Sequence, residues 1–270
     1  KHSSTKPLES IPQLRRSLSP CVSQQLDRFQ VKQMVRMGVD GCRGGWLVAQ
    51  TQGKRGDFSS VSLGVASTLV EAIDRKTIEL VLIDIPKGLL NDRARRIEYL
   101  ARQLLKGQAS TIFNVPVVDA VFADSYEGAS IINHRMTGKK LSKQAWYLCP
   151  KIKELDELLA REPSLSNLIY ESHPELVFRL MAGTQLPKKK DSEGLTARSA
   201  LLERAGIPAT QLVSALMNRY PRSVCFADDA IDALVLLLLA HSPSEDLDSE
   251  SETDRRGTPI NFKIPLRSVS

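Results

Sequence analysis

Val35-Arg-Met-Gly-Val-Asp-Gly-Cys-Arg-Gly-Gly-Trp46 is a short apolar run that ends on one carboxylate, Asp40, and then breaks into glycine. A second apolar run, Trp46 to Ala49, follows at once. Apolar runs bounded by glycines read as strand, tight turn, strand. Glycine has no Cβ, so the backbone at Gly41, Gly44 and Gly45 can take positive φ and let a ligand or metal ion approach Asp40. A hairpin whose Asp merely begins the turn fits this stretch equally well on its own. Later acids at predicted element ends favour the chemical reading.

Working outward, a third strand is expected near 58–64, then a helix over 68–75 with Leu69, Ala72 and Ile73 on one face. Glu79-Leu-Val-Leu-Ile-Asp-Ile-Pro86 suits a strand buried on both faces, with Asp84 near its end and Pro86 stopping it. Such an order makes an α/β domain with a mixed sheet: an antiparallel meander plus a parallel partner reached by crossover. Residues 90–165 read as a polar, largely helical insertion over one edge of that sheet, including segments 141–148 and 151–160. Arg93, Arg95, Arg96 and Arg102 crowd its first helix, where Glu98 and Arg102 form an i,i+4 pair. A fifth strand is expected at 168–171, followed by Ser172-His-Pro-Glu175 and a helix over 176–182. A last long helix runs from near Ala227 to His241. The folded domain is thus 34–241. The acidic, Ser-rich 242–270 reads as a flexible tail with a terminal strand near 260–265, and the Ser-, Pro- and Arg-rich 1–33 as a disordered extension.

At 270 residues the chain can bury a substantial core, and its composition is that of an ordinary globular protein. Its net charge of +6 suits a phosphate-bearing partner such as nucleic acid, DNA or RNA. The four cysteines, Cys21, Cys42, Cys149 and Cys225, show no CxxC pair and no His at zinc-ligand spacing, so reduced thiols and a cytoplasmic location are expected. The longest apolar run, Ala230 to Ala240, is interrupted by Asp232 and is too short to span a bilayer, so no membrane partner is expected.

Asp40, Asp84, Glu171 and the pair Asp229 and Asp232 all fall at predicted element ends. On a helix Asp229 and Asp232 share a face. Capping explains Asp228 or Asp229 but explains Asp232 poorly, since Ala233, Leu236 and Ala240 share its side. Carboxylates gathered at adjacent strand ends repel one another unless protons or a hard cation neutralise them. Two Mg²⁺ or Mn²⁺ ions in such a cluster form the usual machinery for phosphodiester hydrolysis.

That order of strands and acids resembles the RNase H-like nuclease fold, and Asp229-Ala-Ile-Asp-Ala-Leu-Val-Leu resembles the closing helix of its Holliday-junction resolvases. More closely, GVDGCRGGW (38–46), IDIPKGL (83–89), RRIEYLAR (95–102), STIFNVP (110–116), LSKQAWYLCPKIKELD (141–156), ESHPE (171–175) and DDAIDAL (228–234) resemble a family of predicted RNase H-like nucleases, domain of unknown function 429. Where this chain has Glu98 the family's pattern carries Asp, a swap that keeps the charge. The resemblance implies an RNase H-like mixed five-stranded sheet flanked by helices, with Asp40, Asp84, Asp229 and Asp232 as ligands of Mg²⁺ or Mn²⁺ and Glu171 as a further catalytic acid. Arg43, Lys87, Lys151, His173 and the run Lys188 to Lys190 are the candidates for holding phosphates, the lysine run being equally an ordinary solvated loop. A homodimer would suit a resolvase-like role.

Two other classes fit parts of the chain. An RNase H-like scaffold without activity would bind nucleic acid or protein. A nucleotide phosphotransferase of the actin-like superfamily would share the core, since Asp40-Gly-Cys-Arg-Gly-Gly superficially resembles its first phosphate loop, but no second Asp-x-Gly loop accompanies it.

Overall fold

Strand β1 (Val35–Cys42) alternates, as any strand must, and the alternation decides what each side of the sheet becomes. Val35, Met37 and Val39 enter one core, while Cys42 joins the other and Gly38 faces the helix that covers it. This computed structural model describes residues 34–73, 77–250 and 252–266; the extension 1–33, with Cys21, lies outside them. Around β1 stand β2 (Gly45–Gln52), β3 (Ser62–Ala66), β4 (Ile78–Ile83) and β5 (Ile169–Glu171), in the order β3-β2-β1-β4-β5. β1, β4 and β5 are parallel; β2 and β3 complete an antiparallel meander. The mixed five-stranded α/β sheet expected from the pattern is therefore present.

The described helices are α1 (Leu69–Ala72), α2 (Arg96–Leu104), α3 (Val118–Val121), α4 (Tyr126–Thr137), α5 (Lys143–Arg161), α6 (Pro174–Ala182), α7 (Ser192–Arg204), α8 (Ala209–Arg219) and α9 (Ala227–Ala240). α5 lays Cys149, Ile152, Leu155 and Leu158 against Met37, Val39, Val81 and Ile83, so the insertion covers a face of the sheet rather than an edge. Its Glu154 accepts hydrogen bonds from the Trp46 indole (2.8 Å) and the Leu69 N–H (2.5 Å), tying β2 and α1 to it. The segments expected as two helices on either side of Pro150 are one. Proline deletes a single backbone donor, and the buried stripe from Ala145 to Leu159 holds both halves in one helix against the sheet. α1 is shorter than expected; Thr68 and Glu71 close its start as a capping box, and residues 74–76 are not described.

On the other face α9 sits directly on β1. A methyl group at Gly38 would lie 2.1 Å from the Ala233 carbonyl oxygen and 2.3 Å from the Leu237 nitrogen. Only glycine permits that approach, so Gly38→Ala is expected to lower stability by about 2 kcal/mol in urea unfolding through forced separation of helix and strand.

The terminal strand expected near 260–265 is present, and the segment before it is tied to the domain. β6 (Ser244–Asp246) pairs with β7 (Lys263–Pro265), Ile260, Phe262 and Ile264 are buried, and the Glu171 N–H donates to the Asn261 carbonyl (3.3 Å). Arg255 and Arg256 both donate to Asp156 of α5. The acidic composition of 242–256 reads as a solvated link because its acids Asp248, Glu250 and Glu252 find their partners in Arg93 and Arg96, far away in sequence.

Candidate active site

β1 and β4 run parallel and end side by side, and β1 is where the sheet changes direction, antiparallel to β2 but parallel to β4. Ligand crevices in α/β sheets open beyond the carboxyl ends of strands at such a point. Asp40 stands near the end of β1. Asp84 follows β4 directly, its N–H bonded to the Val39 carbonyl at 2.9 Å. α9, brought close by Gly38, delivers Asp232 from its second turn. All three line one cleft of about 600 Å³. Asp40 and Asp232 are 8% and 2% exposed. Asp229 is placed otherwise: it accepts the Phe226 N–H (2.8 Å) at the helix start and does not line the cleft, as capping would have it.

A lysine enters the same cluster. Lys189 donates to Asp232 at 2.5 Å, so the half-exposed middle lysine is tied to the cleft while Lys188 and Lys190 on either side of it are exposed. The loop is held from behind by Arg198, buried in α7, which donates to the Pro187 carbonyl (2.8 Å) and clamps Glu175 with two bonds of 2.6 and 2.8 Å. Nothing in the local pattern of three lysines distinguishes the middle one. The far wall carries Ser110, Thr111 and Phe113, so the 110–116 motif belongs to the cleft. Arg102 positions that motif by donating to the Ile112 carbonyl and to Asn114, rather than pairing with Glu98.

Glu171 lies behind Asp84 and has both oxygens engaged. Arg95 donates to them at 2.9 and 2.8 Å, and the Lys87 N–H adds a bond of 2.8 Å. Arg95 also pairs with Glu98, so the structure places Glu171 in a buried ion cluster with no oxygen turned to the cleft. Lys87 is 1% exposed and donates to the Ser166 carbonyl, away from the cleft. Lys151 packs over Trp46 and donates to the Gly45 carbonyl; its stem lies against Gly41. Arg43 stacks over Phe226 at 4.6 Å, outside the cleft. His173 does line it, at the start of α6, with its Nδ1 buried and unpartnered. Burial holds the imidazole low, at about 4, so it is neutral at pH 7.

Burial, reinforced by Asp84 and Asp232, raises the Asp40 carboxyl well above the usual range. Burial, then Asp232, pushes Asp84 up to about 8. Burial raises Asp232 as well, and Lys189 opposes it. Three carboxyl groups therefore face one ammonium, and burial favours the protonated form of Asp84 at pH 7. The donor chemistry fits a hard divalent cation, which oxygen ligands and an excess of negative charge favour. No group of three or more His, Cys, Asp or Glu side chains among the described residues, however, is arranged as a metal shell.

A family model described as protein of unknown function DUF429 matches residues 38–249. The chain belongs to that family. No curated protein and no solved structure matches it. The DUF429 match spans β1, the 110–116 wall, the lysine loop and α9, so every element of the cleft lies within it. Among the described residues, no helix is long and apolar enough to cross a membrane. Cys42, Cys149 and Cys225 are buried free thiols.

The raised carboxyls make stability depend on pH. Asp84 titrates near 8 in the fold against 3.8 for an ordinary aspartate, so between those values the folded chain binds more protons than the unfolded one. Stability is then expected to fall as pH rises from about 5 to 8, with a slope of up to about 1.4 kcal/mol per pH unit for one such group. Melting in EDTA across that range would measure it, and Asp84→Asn should flatten the slope.

Proposed function

We propose that the chain is a metal-dependent nuclease or phosphodiesterase that hydrolyses phosphodiester bonds of nucleic acid. The observation that carries this reading is the meeting of Asp40, Asp84 and Asp232, from three separate elements, in one cleft at the carboxyl ends of the parallel strands. These three would hold Mg²⁺ or Mn²⁺, with Asp229 at the margin. When bound, such ions neutralise phosphoryl oxygens and acidify an attacking water. The chain's own groups do the rest. Lys189, released from Asp232, is a point charge for a phosphate oxygen. Neutral His173 has an unpartnered Nδ1 free to accept a hydrogen bond from a group that enters the cleft. Ser110 offers a neutral hydrogen bond to the sugar-phosphate chain, and Thr111, whose hydroxyl donates to the Gln108 carbonyl, can accept one. Buried free thiols accord with a cytoplasmic location.

The test is incubation of metal-stripped protein with single-stranded, duplex and branched substrates, with and without Mn²⁺. Cleavage only with metal supports the proposal; undiminished cleavage in EDTA contradicts it. The Lys189–Asp232 pair favours a second reading, an inactive scaffold whose acids are already neutralised. Nucleic-acid binding with no cleavage under any metal would select it.

A further inference from the structure

We propose that a second groove, continuous with the carboxylate cleft across Lys189 and Lys190, carries the backbone of a single-stranded polynucleotide. The inference rests on the nuclease reading and adds which form of nucleic acid the site takes. The groove is about 740 Å³ in volume and lies between the β1–β2 turn, the end of α8 and the start of α9. Arg43, Lys190 and Arg222 are exposed along it, and Asp228 is the one acid among its lining residues. Its rings are Tyr220 and Phe226, both partly exposed, with the Arg219 guanidinium 5.2 Å from the first and that of Arg43 4.6 Å from the second.

Three features point to one occupant. The exposed basic residues Arg43, Lys190 and Arg222 outnumber the single acid, Asp228, and that net positive charge suits a phosphate chain. Guanidinium groups stacked over partly exposed rings form flat surfaces that suit unstacked bases, which a duplex does not present. Lys189 and Lys190 line both cavities, so the two adjoin, and a strand whose phosphate lies at Asp40 and Asp84 would cross these lysines to enter the second groove. The groove is also built rather than incidental. The Gly44 N–H donates to the Val224 carbonyl at 2.7 Å, fixing the turn that carries Arg43 against the loop that carries Arg222.

The experiment is fluorescence anisotropy of a labelled single-stranded oligonucleotide with the full chain in EDTA, where binding is read without cleavage. Arg43→Ala and Arg222→Ala should each weaken binding about fivefold, and each should lower the slope of log affinity against log salt by about 0.7. Tyr220→Leu should weaken binding at least fivefold with no change in that slope, since stacking carries no counterion term. Unchanged affinity and slope in the arginine variants would overturn the proposal. So would tighter binding of duplex than of single strand, or equal displacement of the oligonucleotide by polyglutamate, which would make the groove a general anion surface. Arginine-dependent binding in a chain that never cleaves would leave the groove and remove the nuclease activity. Mn²⁺-dependent hydrolysis of a dinucleotide, with no arginine-dependent binding, would do the reverse.

Discussion

Asp40→Asn is expected to reduce divalent-metal-dependent cleavage at least about 100-fold while leaving the fold intact. Asn keeps the shape of Asp and can still accept the Gly41 N–H that Asp40 accepts at 2.7 Å. It loses the charge that a hard cation requires. The same variant carries a second signature that simple damage would not produce. Because the Asp40 carboxyl is raised chiefly by burial, its ionised form is disfavoured in the fold. Removing it should make metal-free protein gain stability relative to wild type as pH rises from 5 to 8. Activity lost with stability gained marks a functional site held against the fold's preference. Lost activity together with lost stability at both pH values would instead make Asp40 a structural residue.

Arg95→Met is expected to cost about 3–5 kcal/mol, because it strands two buried carboxylates. Arg95 is 3% exposed and joins three segments: Glu98 in α2, Glu171 at the end of β5, and the Lys87 and Gly88 carbonyls after β4. Lysine cannot replace that planar fork, so Arg95→Lys should recover little. Adding Glu171→Gln to Arg95→Met should restore part of the loss, since an amide is cheaper to bury than an unpaired charge. Denaturant unfolding of the three variants would measure this. A loss below about 1 kcal/mol for Arg95→Met would mean the cluster relaxes to water and does not brace the floor behind Asp84.

Much of the sheet is legible in the sequence because its signals are local. The alternation around Asp40, the glycines after it and the buried run ending at Asp84 each reflect a single strand's surroundings. Asp40, Asp84 and Asp232 are legible for the same reason: an acid inside an apolar periodicity is costly to bury unless it has work to do there. Glu171 carries the same outward sign, yet its partner Arg95 is 76 residues away, and no spacing rule announces such a pair. Lys189 is hidden differently, since its neighbours are identical to it and only the Arg198 anchor turns it inward. The order of the tail escapes composition, which describes solubility, because long-range pairing of Asp156 with Arg255 and Arg256 decides it. Pro150 shows that packing along a whole helix outweighs one missing donor.

The most direct measurement is a calorimetric titration of Mn²⁺ into metal-free protein, run on wild type, Asp40→Asn and Lys189→Met. Lys189 and a divalent cation compete for Asp232, and Lys189 is 39% exposed, so its hold is partly screened. Removing it should tighten metal binding about tenfold, equivalent to about 1.4 kcal/mol, and should lower stability in EDTA. A carboxylate metal site predicts binding in wild type, tighter binding in Lys189→Met and none in Asp40→Asn. Silence in both wild type and Lys189→Met, or binding unaltered by Asp40→Asn, would contradict it.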